Sequence, residues 1–251
     1  MRESLKRGFS TALKLLPFAL VGGWFSGTYA FAMYDETVQS QILEQLGSVE
    51  VFCVVSAAQA VLYTLVCAVF GRMLAEKCGL WRDESWRAAP LKKTLLLSAL
   101  GGAFTYGMEK RVFSPRIPAV AASYAGKPDL ATWITSLLYG GVVEEVMLRL
   151  FVLSLLVFLL WKLFARRAEA APEWAGIAAN IIAALLFAAG HLPVTAQTMG
   201  ITPLILFRCF LMNGGIGLLL GRLFRKEGIR YSMVCHGGIH AVWKILWTIF
   251  G

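Results

Sequence analysis

Residues 131–164 read ATWITSLLYGGVVEEVMLRLFVLSLLVFLLWKLF. The run is built for hydrocarbon, yet its middle, GVVEEVMLRLF (141–151), carries two adjacent carboxylates and an arginine. A charge at the centre of a membrane helix costs about 2.5–3.5 kcal/mol on insertion scales, so it needs a partner, a water-filled cavity or a chemical task. A bilayer core takes about 20 helical residues. The run is longer than that, so it either tilts or breaks near Gly140–Gly141 into a short helix and a full one.

The rest of the chain repeats the theme. Of 251 residues, 58% are hydrophobic and 16% charged, against about 25% charged in a soluble domain. Apolar runs at about 12–33, 51–72, 94–110, 131–164, 174–191, 202–223 and 230–250 predict about seven transmembrane helices, one of them long or broken. The expected fold is an all-α polytopic membrane helix bundle, a single integral membrane domain over residues 1–251. The N-terminus has a basic region and then an apolar stretch from Leu15 to Met33 without a small-residue cleavage pattern, which reads as an uncleaved first span rather than a signal peptide. Five cysteines, four of them inside apolar runs, give no disulfide framework.

A net charge of +9 would suggest nucleic acid in a soluble chain. Here the basic residues flank spans, so they read as topology signals and no nucleic-acid partner is expected. Arg2, Lys6, Arg7 and Lys14 flank the first span, and the linker 34–50 has no Lys or Arg. Basic and non-basic linkers then alternate, except that 109–130 carries Lys110, Arg111, Arg116 and Lys127 where the outside is expected. The positive-inside rule places the N-terminus in the cytoplasm and fits a bacterial inner membrane. The segment CGLWRDESWRAAPLKK (78–93) reads either as an amphipathic piece in the interface or as an ordinary basic loop.

The chain has three histidines, His191, His236 and His240, and all fall in or at the ends of apolar spans. Glu145 and Arg149 are four apart and share a helical face, so they can pair. Glu144 is rotated by about 100° from Glu145, which leaves it free to face a cavity as a proton acceptor. FAAGH puts Phe187 and His191 on one face, and HGGIH does the same for His236 and His240, with Gly237 and Gly238 between them to let another helix approach. Arg208 is a second charge that either lines a cavity or binds a phosphate or carboxylate. Lys244 reads as a snorkelling residue, and Asn180 and Asn213 as interhelical hydrogen-bond partners.

EEVMLR (144–149), FAAGH (187–191) and HGGIH (236–240), in that order on separate spans, resemble the CAAX prenyl endopeptidase and bacteriocin-processing (CPBP, Abi) family of intramembrane proteases. The family pattern is EExxxR, FxxxH, then HxxxN or HxxxD. The resemblance covers about residues 140–245 and implies a helical membrane fold around a wet intramembrane cavity. Carried over, it implies that Glu144 and His191 hold the attacking water, that His236 and His240 serve the oxyanion, and that Glu145, Arg149 and Phe187 give support. The implied partners are a peptide or membrane-protein substrate and the lipid bilayer.

Two departures stand out. Position 240 is a histidine instead of Asn or Asp, and EEVMLRLF lacks the aromatic and glycine that usually flank the arginine. His240 can still donate a hydrogen bond. It can also ligate metal, so Glu144, His191, His236 and His240 form a possible zinc set, the one cofactor expected. The alternatives are a proton-coupled transporter, since buried Glu, His and Arg also build relays, and a non-catalytic regulatory member of the family.

Overall fold

The computed structural model describes residues 2–82 and 85–251, so Asp83 and Glu84, in the middle of the 78–93 segment, lie outside the described residues. Among those described there is no strand. Five helices are long and apolar enough to cross a membrane: Arg2–Met33, Val49–Lys77, Leu130–Phe164, Glu173–Met199 and Pro203–Glu227. The expected segments 94–110 and 230–250 correspond to helices Ala88–Met108 and Ile229–Phe250, which pack against each other outside that group of five. Large apolar side chains point outward all round the bundle, among them Leu62, Leu100 and Leu163, each more than half exposed. Water would not tolerate so continuous an apolar surface; hydrocarbon does. The protein is an integral membrane helix bundle.

Close approach of small residues holds the first two long helices together. Gly8, Ala12, Ala19, Gly23 and Gly27 form one buried stripe on Arg2–Met33. It meets Ala57, Ala60, Ala68 and Val69 of Val49–Lys77. A Cβ on Gly23 would lie 2.6 Å from that of Ala60, and one on Gly8 would lie 2.7 Å from the Val69 carbonyl oxygen. Without a hydrophobic drive between helices in lipid, this backbone proximity supplies the association.

Local chemistry sets the boundaries. The non-basic linker folds as a short helix, Glu36–Leu46, capped by Asp35, which accepts from the Val38 N–H at 2.9 Å. Asp129 caps Leu130–Phe164, accepting from the Thr132 N–H at 2.8 Å; these bonds hold its carboxyl below the usual carboxylate range. Gly228, at φ +108°, turns Pro203–Glu227 sharply into Ile229–Phe250, a backbone angle that side chains rarely adopt.

The long segment does not break at Gly140–Gly141. It runs unbroken from Leu130 to Phe164, but Thr135–Glu144 and Val146–Leu153 are wound as π-helix. Wide winding of this kind is rare and is found mostly at functional sites. Gly140 and Gly141 serve a different purpose, packing. A Cβ on Gly141 would come within 3.1 Å of the Gly237 Cα, so the two helices touch backbone to backbone. Gly238, on the other side of the last helix, receives Ser98. The glycines of HGGIH thus admit a neighbouring helix on each side, as their size implies.

Candidate active site

A cavity of about 260 Å³ opens among these helices. Glu144, His191, His236 and His240 all line it, together with Phe187 and Gly140. The structure therefore brings all four expected site residues to one place, from three helices remote in sequence.

Glu144 and His191 face each other with Oε1 and Nε2 4.0 Å apart. That is too long for a direct hydrogen bond and suits one water bonded to both. The His191 Nδ1 lies 2.8 Å from the Phe187 carbonyl oxygen. A carbonyl only accepts, so Nδ1 carries the proton and Nε2 of the neutral ring is an acceptor toward the cavity.

Glu145 turns the other way and is fully buried. Its Oε1 accepts from His236 Nδ1 at 2.9 Å and lies 3.0 Å from Arg149 Nη1; its Oε2 accepts from the Ser232 hydroxyl. The Arg149 guanidinium makes no linear hydrogen bond within this pair and lies over the Phe187 ring, 4.6 Å from its centre. Phe187 also meets both histidines edge to face, His191 at 4.7 Å and His236 at 6.1 Å. One aromatic ring thus spaces the arginine and two imidazoles, which explains why a phenylalanine sits four residues before His191.

His236 and His240 stack at 5.0 Å with their planes 23° apart. Both Nε2 atoms approach Gly140: a Cβ there would lie 3.2 Å from that of His240 and 3.9 Å from that of His236. The missing side chain leaves a niche faced by two imidazole nitrogens. Among the described residues His240 Nδ1 has no hydrogen-bond partner. Beyond it, His240 stacks on Trp243 at 5.9 Å, whose indole N–H donates to the Tyr124 hydroxyl at 2.6 Å.

The geometry lends the possible zinc set no support. Among the described residues no group of three or more His, Cys, Asp or Glu side chains is disposed to hold a metal. Ligands about 2.0–2.2 Å from a tetrahedral zinc lie roughly 3.3–3.6 Å from each other, closer than the 4.0 Å between Glu144 and His191. The stack also holds the rings of His236 and His240 side by side along one helix face.

Other expectations divide. Asn180 bridges helices by donating to the Leu218 carbonyl at 3.0 Å, whereas Asn213 bonds within its own helix, to the Cys209 carbonyl at 3.1 Å. Lys244 does not snorkel: it is 3% exposed, its Nζ 4.7 Å from the centre of the Trp243 ring. Arg208 lines the cavity, but paired with buried Glu109 at 2.9 Å. Glu109, Ser232, Trp243 and Gly140 escaped the motif reading. Ser232 carried a signal all the same, since it stands one helical turn before His236.

Residues 126–242 match the family model described as type II CAAX prenyl endopeptidase, Rce1-like. No curated protein and no solved structure matches the chain. The matched region contains all three motifs, with Glu144, His191, His236 and His240 among the cavity-lining residues that come from them. Over that region, just under half of its length, the chain is similar to the Rce1-like, type II CAAX prenyl endopeptidase family.

Proposed function

We propose that the protein is an intramembrane endopeptidase that hydrolyses a peptide bond with a water held between Glu144 and His191. The observation that carries this reading is their 4.0 Å separation across a cavity whose far wall is the imidazole niche at Gly140. Both groups accept hydrogen bonds, so the water is held with a lone pair free for the carbonyl carbon. Glu144 takes the proton as the C–O bond forms and returns it to the leaving amine nitrogen as the C–N bond breaks. The developing oxyanion lies in the niche and accepts from the Nε2–H of His240, whose unpartnered Nδ1 suits that tautomer. His236 carries its Nδ1 proton toward Glu145, which fixes its ring beside the niche and against His240. Glu145, Arg149 and Ser232 orient His236 and do not touch substrate.

The substrate is a peptide or a membrane-protein segment delivered from the bilayer. The cavity is slightly smaller than the roughly 300 Å³ at which small-molecule sites begin, which favours an extended stretch of main chain around the scissile bond. In the membrane, helices Ala88–Met108 and Ile229–Phe250 complete seven crossings, with the N-terminus cytoplasmic in a bacterial inner membrane. Reporter fusions to the two termini test that orientation, and equal cytoplasmic signals from both would contradict it.

The test of the chemistry is cleavage of a membrane-inserted peptide by protein reconstituted in liposomes. Glu144→Gln is expected to lower kcat by at least 10³-fold, and dialysis against a chelator to leave it unchanged. Cleavage by the Gln variant at the wild-type rate would overturn the assignment, and flux of an ion or solute without cleavage would point to a transporter.

A further inference from the structure

A second cavity, of about 130 Å³, lies at the basic end of the bundle, where Val49–Lys77 and Pro203–Glu227 end and Glu173–Met199 begins. Helix ends sit at headgroup depth in a bilayer, so this crevice lies at the level of lipid phosphates. Arg82, Arg225 and Lys226 line it, and among the described residues Glu173 is the one acidic residue in its wall. Arg225 and Lys226 share a single Glu173 oxygen, at 2.7 and 3.2 Å. The Glu173 side chain is 64% exposed, so water screens much of its charge. Arg225 is only 5% exposed and has no such relief.

The crevice is also shaped around that guanidinium. A Cβ on residue 176 would lie 2.7 Å from Arg225 Nε and 2.8 Å from Nη2, so Gly176 makes room for the group. From the far side Arg82 Nη2 donates to the Arg225 carbonyl at 3.1 Å, which brings a second guanidinium to the same backbone. Among the described residues three cations thus face one solvated carboxylate, and their excess positive charge surrounds open space. Guanidinium forks match tetrahedral oxyanions, and basic pockets between membrane helices take lipid headgroups.

We propose that this crevice binds a phosphate group, either in the headgroup of an anionic phospholipid or as the free ion. It is remote from Glu144 and His191 and does not depend on the cleavage chemistry. The test uses full-length, delipidated protein in detergent with three probes: phosphatidylglycerol, phosphatidylcholine and inorganic phosphate. Binding is read by native mass spectrometry and thermal unfolding. Wild type is expected to retain phosphatidylglycerol at least tenfold better than phosphatidylcholine. R82Q/K226Q should lose that preference, while the other basic residues of this face still offer their charge. Both substituted side chains reach solvent, so this variant decides the matter even if Arg225→Gln fails to fold. Stabilisation of wild type alone by inorganic phosphate would identify the phosphate group itself as the ligand; stabilisation by phosphatidylglycerol alone would identify the headgroup. Equal binding of all probes by wild type and R82Q/K226Q would overturn the proposal.

Discussion

Glu144 and Glu145 are neighbours in sequence with opposite surroundings, and two variants separate them. Glu145 is buried against Arg149, Ser232 and His236. Glu145→Gln strands a buried guanidinium, which costs about 3–5 kcal/mol, and it releases His236. Thermal unfolding in detergent is expected to show a large drop for this variant and almost none for Glu144→Gln, whose side chain faces the cavity. Gly140→Ala probes the niche. It places a methyl group 3.2 Å from His240 Nε2 while improving helix propensity by about 1 kcal/mol. Cleavage is expected to fall about 10²-fold, the scale of losing an oxyanion donor, with no loss of melting temperature; wild-type turnover would remove the niche from the mechanism. The pairing of Glu145 with Arg149 was readable because residues four apart share a helical face. The niche was not, because a glycine in an apolar run announces only that something comes close, and what comes close to Gly140 is a histidine a hundred residues later.

At the scale of single helices, the small-residue stripe of Arg2–Met33 is the strongest structural commitment outside the site. Gly23→Leu drives a branched side chain into Ala60 and Ala57; such overpacking costs about 1–3 kcal/mol, measurable as a lower melting temperature with the motif helices untouched. Asp129→Ala removes a cap worth about 1 kcal/mol. Because the folded carboxyl titrates below its unfolded value, that contribution is present above pH ~4 and fades as pH falls through the lower, folded pKa. The stability difference between this variant and wild type should therefore be full at pH 7 and shrink in acid. Hydropathy located every long helix, since length and apolarity are local properties. The π-helical winding of 135–153 was beyond it: the sequence signals only that one span is too long, and tilt, break and wide winding all answer that signal equally. Only the packing of Gly140 and Gly141 against the last helix distinguishes them.

For the whole molecule, the bundle turns apolar side chains out to lipid and encloses charged ones at two depths, the wet cavity and the basic crevice. The chain order of the motifs carried the first of these, because residues confined to spans have few places to meet except inside. The far end of the cavity, with Glu109 and Arg208, and the stack running from His240 through Trp243 to Tyr124 were illegible because their partners come from helices without motifs. The central claim is that Glu144 and His191, from different helices, act on one water as a single unit. A double-mutant cycle on the cleavage rate measures this directly. The expected result is that Glu144→Gln combined with His191→Ala is no slower than the worse single variant, since groups acting as a unit are strongly non-additive. Losses in kcat that multiply, or a double variant that still cleaves near the wild-type rate, would contradict it.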